Sequence, residues 1–588
     1  MCGIFGYIGQ KNAGEVIVSG LKSLEYRGYD SWGISVVSQG CLKTQKVVGK
    51  IGELKNLDLP SSTIGIGHTR WATTGAVTKI NAHPHESADG SFTLAQNGIV
   101  ENYEELKRQL LKKGYIFKSE TDTEVIVRLI EEKLVGEKDL KTAIISAFKE
   151  LTGRNTIIIL TNTMEIMAVR NGSPLVVGFT DTQVYLSSDA LSFAPFTQKI
   201  LVVDNGQMVS VKDHNVSLFN INTGKKLNYK TEIVKISSEI VQKDGYEHYM
   251  IKEINEAPMV LRKLISQDKL QYAKLASDIK KARNIYTIGS GGAGVAASQV
   301  AFFLRSIGKI PAVSLIGADA EEYKELFSKE DIIIVISQSG ETADVLEVLE
   351  PAKKKGVKIA SFVNMPGSMI TRMSDYKFMS ESGPEVCVMS TKTFVSQVAW
   401  GYLLAKTIAG HQKQGEKELN RLELAIEQYL LNTVTNEEIK KFASKLSKEK
   451  DIYLLGKQQN YHIMREGMVK IIEAAYIHGH ALPSGDLKHY VITLMQKGVP
   501  VIVALSEDET KNDVLNAISQ VRARGAVVYG IAPVNNKNFD HFLKVPDTGE
   551  TMAIMNLIPL QLLSYYMAVK LGNNVDRPRN IAKSVTVK

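Results

Sequence analysis

The stretch EDIIIVISQSGET (Glu330–Thr342) reads as a buried strand, a serine-rich turn and the opening of a helix. Its apolar run, Ile332–Ile336, is β-branched throughout and bounded by turn residues, which fits a strand covered on both faces. The turn leads into a helical pattern over Ala343–Lys355. GVPVIVALSEDET, ending at Thr510, repeats the arrangement 168 residues later. NIYTIGSGGAG from Asn284 and DIYLLGKQQNY from Asp451 stand 167 residues apart; Gly356 before VKIASF and Gly525 before VVYGIA stand 169 apart. Three pairings at a nearly constant offset mark two copies of one α/β unit, joined near residue 430. Each copy is too long for a solenoid repeat. From Tyr246 onward, short Val/Ile/Leu strands alternate with long helices, the pattern of parallel sheets flanked by helices.

The chain before residue 226 has another texture. Apolar runs of three to five residues recur at Ile4–Ile8, Ile34–Val37, Ile64–Ile66, Phe92–Ala95, Thr156–Leu160, Ile166–Val169, Leu175–Gly178, Val184–Leu186 and Ile200–Val203. Turn residues bound them, so they read as strands. Helical periods fall at Ala13–Leu24, Tyr103–Lys113, Thr123–Glu132 and Leu140–Leu151. The expected organisation is a layered α+β domain over 1–225, a polar linker over 226–245, α/β units over 246–430 and 431–575, and a tail over 576–588.

The 588 residues are 44% hydrophobic and 23% charged, within the ordinary globular range. The 71 basic and 63 acidic residues leave a net charge of +8, without a Lys/Arg block that would suggest nucleic acid. Cys2, Cys41 and Cys387 are too few and too scattered for a disulfide framework or a zinc site. A reducing cytoplasm is the expected setting, and the opening Met-Cys-Gly-Ile-Phe-Gly lacks the basic start of a signal peptide. Thr551–Val569 carries no charge, but it contains Asn556, Pro559 and Gln561, so a buried helix is expected there and not a membrane span.

Removal of the initiator methionine would make Cys2 the first residue of the mature chain. It then carries a thiol nucleophile beside an α-amine whose reference pKa is near 8, suited to a general base at neutral pH. LEYRGYDSWG (Leu24–Gly33), GHTRWATTG (Gly67–Gly75), NAHPH (Asn81–His85), QNGIVENY (Gln96–Tyr103) and SETDTE (Ser119–Glu124) lie at element ends. Together with Met-Cys-Gly-Ile they resemble the N-terminal-nucleophile (class II) glutamine amidotransferase domain.

That resemblance implies an N-terminal-nucleophile layered sandwich with L-glutamine as substrate. Cys2 would attack the side-chain carbonyl to form a thioester. Asn97 and the Gly98 N–H would form the oxyanion hole, Arg70 would hold the α-carboxylate and Asp122 the α-ammonium. Trp71 would gate the ammonia path, and Thr73 would line the glutamine site. Thr74 stands where the family usually has His, which bears on control of hydrolysis.

In the second half, GSGGAG (Gly289–Gly294) matches a dinucleotide fingerprint. The second copy has Lys-Gln-Gln-Asn instead, so the fold does not need the glycines and a dehydrogenase reading is weak. SQSGET (Ser337–Thr342) offers hydroxyls and free N–H groups at a helix start, a phosphate site. It resembles the sugar-phosphate loop of the sugar isomerase (SIS) domain, with STKTF (Ser390–Phe394) as its companion. YEHYMIKEI (Tyr246–Ile254), DLKHY (Asp486–Tyr490) and DRPRNIAKSVTV (Asp576–Val587) extend the likeness end to end. The chain thus resembles the glutamine–fructose-6-phosphate aminotransferase family, an amidotransferase domain followed by two SIS domains.

The resemblance implies conversion of D-fructose 6-phosphate and L-glutamine to D-glucosamine 6-phosphate and L-glutamate, the entry to hexosamine synthesis, with no metal or other cofactor. His489 would open the sugar ring, Lys583 would form a Schiff base with the ketone carbon, and Glu473 would move a proton between C1 and C2. Ser290, Ser337, Gln338, Ser339, Thr342, Val388 and Lys488 would bind the sugar phosphate, with Glu466 and Lys470 close by. It further implies a homodimer and a closed ammonia path between Cys2 and Lys583.

Departures from the family pattern fall at Ile288-Gly289-Ser290-Gly291, at Cys387 and at Tyr490-Val491, and they leave another ketohexose phosphate open as substrate. A phosphoribosyl amidotransferase would need a diphosphate loop that the sequence lacks. A non-catalytic sugar-phosphate sensor would not need Cys2, Glu473 and Lys583 together.

Overall fold

The computed structural model describes every residue except Met1, Lys55, 234–241 and 586–588. The described residues form two compact units, one built on the first 240 residues and the other on 241–340 with 344–583.

The first unit is a four-layer sandwich, helix–sheet–sheet–helix. One antiparallel sheet centres on Gly3–Ile8, which lies between Ile64–Arg70 and Val184–Ser187. The other runs from Lys226–Leu227 through Glu165–Asn171, Asn155–Thr161 and Phe92–Gly98 to His85–Glu86. Strand alternation builds the layers. Ile4 and Ile8 share the inter-sheet core with Ile158, Leu160, Ile166 and Ala168. Phe5 and Tyr7, on the opposite face, pack with Ile17 and Leu21 of the helix Ala13–Leu24. Ile157 and Ile159 point the other way, toward the helices Tyr103–Lys112, Asp122–Leu134 and Leu140–Phe148.

Two strands, Lys226–Leu227 and Glu232–Ile233, fall inside the segment expected as linker and add to the edges of these sheets. They are two residues long, below what periodicity detects. Residues 234–241 of that linker lie outside the described residues, as do Met1, whose removal was expected, and residues 586–587 of the tail motif.

The second unit holds the duplicated α/β fold. Each sheet has five parallel strands in the same spatial order, 2-1-3-4-5. The first runs Ala312–Ile316, Ile285–Gly289, Ile332–Ser337, Lys358–Val363, Tyr376–Met379. Its counterpart runs His478–Pro483, Asp451–Gly456, Pro500–Ala504, Val527–Ala532, His541–Lys544. In such sheets the strand order reverses beside the first strand, and ligands bind at the carboxyl ends there. In the first copy that crevice lies where Ile285–Gly289 and Ile332–Ser337 end. The uncharged stretch forms the helix Met552–Lys570, buried between helices of the two copies. By length and composition it qualifies as a membrane span, yet 89% of its most apolar window is buried within the protein.

Candidate active sites

Cys2 stands just ahead of Gly3–Ile8, and Arg70 ends the adjacent strand, so the ladder Gly3↔Thr69 sets thiol and guanidinium side by side. Cys2 Sγ accepts a hydrogen bond from the Trp71 N–H at 3.3 Å and donates toward Trp71 O at 3.5 Å. Burial pushes the thiol above its ordinary pKa, with the Trp71 amide and Arg70 pulling it partly back. Trp71 meets Tyr29 edge-on at 5.5 Å. Arg70 donates to Thr74 O at 2.6 Å, Gly75 O at 3.1 Å and Ala76 O at 3.2 Å. A guanidinium has five N–H donors, three of which these carbonyls engage. Thr74 therefore contributes its carbonyl to hold Arg70, and Thr73 is exposed beside it.

Asn97 and Gly98 end the strand Phe92–Gly98. Asn97 Nδ2 is buried with no hydrogen-bond partner, although its Oδ1 lies 3.2 Å from His68 Nε2. A buried amide donor without an acceptor is costly unless a ligand completes it. Gly98 adopts φ +147°, and a Cβ there would sit 2.1 Å from Arg154 O, so glycine is required. Asp122, the first residue of its helix, accepts from Val100 N at 2.8 Å. Burial raises its pKa, opposed by that hydrogen bond.

Behind Asn97, His68, His83 and His85 form a row, His68 stacked on His83 at 4.3 Å between ring centres and His85 tilted against His83 at 5.0 Å. Burial pushes His68 down to about 3 and holds the other two well below the ordinary value.

In the second unit, the Ser337 side chain accepts from Gly340 N at 2.9 Å and shapes the loop that opens the helix Ala343–Lys354. Gln338, Ser339 and Thr342 are half-buried in it. Gly340 has φ +67°, and a Cβ would meet Ser368 Oγ at 2.1 Å. At the end of the neighbouring strand, the Ser290 hydroxyl is buried and unpartnered, as are those of Ser390, Thr391 and Thr393. These hydroxyls mark polar sites that the protein alone does not complete.

Lys583 reaches the same sheet end. Its Nζ lies 2.7 Å from Glu385 Oε2 and 2.6 Å from Cys387 O. The tail is fastened at several points. Asp576 caps the helix Tyr249–Asn255 by accepting from Tyr249 N at 3.1 Å and Met250 N at 2.9 Å. Val388 N donates to Asp576 O at 3.0 Å. Arg579 lies 4.3 Å over the Tyr476 ring.

On the helix Gln459–Ala475, Lys470 Nζ lies 2.7 Å from Glu473 and 3.2 Å from the wholly buried Glu466. Burial pushes Glu466 up to about 7. Its carboxyl packs against Gly292, at the N-terminus of the helix Gly292–Ser306, where a dinucleotide phosphate would have to sit. Glu473 lines a cavity of about 400 Å³ with Tyr476, Arg579 and Ile581.

The glutamine amidotransferase domain model matches residues 68–194, and the SIS domain model matches 278–407 and 445–571. The glutamine–fructose-6-phosphate aminotransferases (isomerizing) of Pyrococcus horikoshii and Methanococcus maripaludis are each 37% identical to this chain, with both chains covered in full. This chain belongs to the glutamine–fructose-6-phosphate aminotransferase family. Among solved structures, the C-terminal domain of glucosamine-fructose-6-phosphate aminotransferase from Francisella tularensis is 30% identical at a TM-score of 0.52. It covers 57% of this chain and is itself covered completely.

Within this aminotransferase family frame, two expected residues stand apart. Lys488 and His489 are exposed on a turn after the strand His478–Pro483, with no hydrogen bond or ion pair to Glu473 or Lys583 among the described residues. The departures at Cys387 and Val491 are buried, and Cys387 Sγ donates to Val575 O at 3.3 Å, tying it to the tail. Sequence reasoning missed Glu385 and Glu253. Glu385 stands five residues before STKTF, and Glu253 falls inside YEHYMIKEI. Neither carries a local signal, since Glu253 lies inside the helix Tyr249–Asn255 and Glu385 in a loop.

Proposed function

We propose that this chain is an isomerizing glutamine–fructose-6-phosphate aminotransferase that makes D-glucosamine 6-phosphate and L-glutamate. The full-length likeness to that family supports the reaction and gives no support to another keto sugar as substrate. The observation that carries the chemistry is the buried Lys583 amine, set beside a carboxylate at a sheet end lined with unpartnered hydroxyls.

In the first half-reaction the Cys2 thiol adds to the glutamine amide carbon. The free Asn97 Nδ2 donor, together with the Gly98 N–H, meets the oxygen as it gains charge, which accelerates acyl transfer because donors already in place need no reorganisation. Arg70 holds the α-carboxylate by its charge, and Asp122 holds the α-ammonium. Trp71, bound to the thiol through its own backbone, is placed to govern departure of ammonia.

In the second, Ser337, Gln338, Ser339 and Thr342 bind the phosphate at a helix N-terminus. Ser290, Val388 and Lys488 complete the sugar site, and His489 opens the ring. Lys583 forms the Schiff base at the ketone carbon, ammonia displaces it, and Glu473 carries the proton between C1 and C2. Lys470 Nζ, 2.7 Å away, fixes the position of the Glu473 carboxylate for that task. Ammonia passes between the sites without release.

We further infer a cytoplasmic homodimer. Tyr490 and Leu494, each 52% exposed on the turns around His489, supply apolar surface for a second copy. Sedimentation at micromolar concentration checks it.

Incubation with amide-15N glutamine and fructose 6-phosphate tests the whole reading. The expected product is 15N-glucosamine 6-phosphate, undiluted by added unlabelled ammonium. Unlabelled product under those conditions would refute enclosed transfer, and no amino sugar would refute the reaction.

A further inference from the structure

Lys583 does not meet Glu385 alone. Glu385 Oε1 accepts from Thr391 N at 3.0 Å and Thr393 N at 3.1 Å at the start of the helix Lys392–Ile408, while Oε2 faces the Lys583 ammonium. Glu253, from the helix Tyr249–Asn255, comes in beneath the same segment. Its Oε1 accepts from Val386 N at 2.5 Å and Cys387 N at 3.1 Å. Its Oε2 is buried with no hydrogen-bond partner. The Glu253 residue is 1% exposed, and the Glu385 side chain is fully buried.

The other charged and titratable groups facing this pair are Lys583 from the tail, Lys392, Cys387 and Asp576. Lys392 is engaged by Glu256 at 2.6 Å and Pro384 O at 2.7 Å, and Asp576 by the helix cap described above. Two carboxyl groups therefore share one available cation, the lysine that must become a free amine.

We propose that Glu385 takes the proton that Lys583 sheds before its amine adds to the ketose, and that Glu253, buried beneath the same segment with one carboxyl oxygen unpartnered, tunes that transfer. The inference rests on Lys583 being the Schiff-base amine.

Burial pushes Glu253 up to about 8, despite the nearby lysines. Burial also acts to raise Glu385, but the Lys583 charge and hydrogen bond, with Lys392, hold it below the usual carboxylate range. The resting set is thus neutral Glu253 and ionised Glu385, the latter paired with Lys583. Moving the proton 2.7 Å from Nζ to Oε2 turns a buried ion pair into two neutral groups, which a site poor in water favours. The freed nitrogen lone pair forms the bond to the ketone carbon, and the carbonyl π pair moves to oxygen. That oxygen recovers the proton from Glu385 and, with the second proton lost from nitrogen, leaves as water to give the imine. Were Glu253 ionised, its added negative charge would hold Lys583 as ammonium and slow the addition. Glu253 is in this sense a positioning residue for a proton.

The test ages enzyme with fructose 6-phosphate at pH 6 to 9.5, quenches into one common borohydride buffer, and measures sugar attached to Lys583 by peptide mass. Wild type should form adduct progressively more slowly above about pH 8, as Glu253 ionises. Glu253→Gln should lose that alkaline decline. Glu385→Gln should form adduct at least about a hundredfold more slowly. Superimposed wild-type and Glu253→Gln profiles, or unimpaired adduct in Glu385→Gln, overturn the proposal. Because Glu385 also caps a helix, a poorly folded Glu385→Gln leaves the Glu253→Gln profile to decide. Absence of any Lys583 adduct in wild type would sink the Schiff-base reading instead, a separate outcome.

Discussion

Lys583 Nζ and Glu385 Oε2, 198 residues apart in sequence, lie 2.7 Å from one another, with both side chains at most 5% exposed. A lysine near the chain end is ordinarily solvated. Here the caps and stacks that fasten residues 576–579 deliver its amine into a dry site, where its charge can be removed. Lys583→Arg keeps the charge but cannot form an imine. It should lower amino-sugar formation on the order of 10⁴-fold while glutamine hydrolysis without sugar persists, as parallel assays of glutamate and amino sugar will show.

The proposed oxyanion site gives a sharper expectation. Asn97→Ala removes the unpartnered Nδ2 donor. The kcat for glutamine hydrolysis should fall about 10²–10³-fold with KM nearly constant, because the donor serves developing charge and not the resting amide. A KM effect alone would assign Asn97 to ground-state binding.

Arg579→Ala should loosen the tail. The stack on Tyr476 at 4.3 Å is one of its fastenings, and a cation over an aromatic face contributes about 0.5–2 kcal/mol. Sugar amination should decline several-fold, and glutamine hydrolysis measured without sugar should be unchanged. Equal loss in both assays would argue against a role confined to the tail.

The row of histidines sets an acid limit on stability. In the folded protein His68 is pushed down to about 3, and His83 and His85 are also held well below their ordinary value. In the unfolded chain each would titrate near 6.5. The unfolded state therefore binds more protons as pH falls. Stability is complete above about pH 6.5 and declines below it, by up to about 4 kcal/mol per pH unit for three groups together. Calorimetry at pH 7 and 5.5 should show the N-terminal unit melting well below its neutral-pH temperature, and a constant transition temperature would contradict this.

The strands with apolar runs were legible because burial leaves its mark on composition. Ile4–Ile8 and Ile332–Ile336 match the observed strands to within two residues at each end. Cys41–Val48, Gln207–Lys212 and Asn215–Asn220 were not seen. The first lies at a sheet edge with no residue buried, and Asn215–Asn220 buries only Leu218, so neither needs an apolar pattern. The duplicated sheet was readable from three phrases, since both copies place similar residues at the same strand ends. Cys2, Asn97 and Ser337 were recognisable from local motifs. Glu385 and Glu253 were not, because their importance comes from a lysine brought in from the far end of the chain, and no spacing within one element reports such a meeting.

The packing of Glu466, from the second copy, against Gly292 in the first carries a historical consequence. Once a single-copy ancestor had been doubled within one gene, its two halves no longer had to stay alike. One now carries the glycine-rich turn, while the other carries Lys-Gln-Gln-Asn there and contributes the acid. Replacing Lys-Gln-Gln-Asn at 457–460 by glycines would therefore build an empty cradle and create no ligand site.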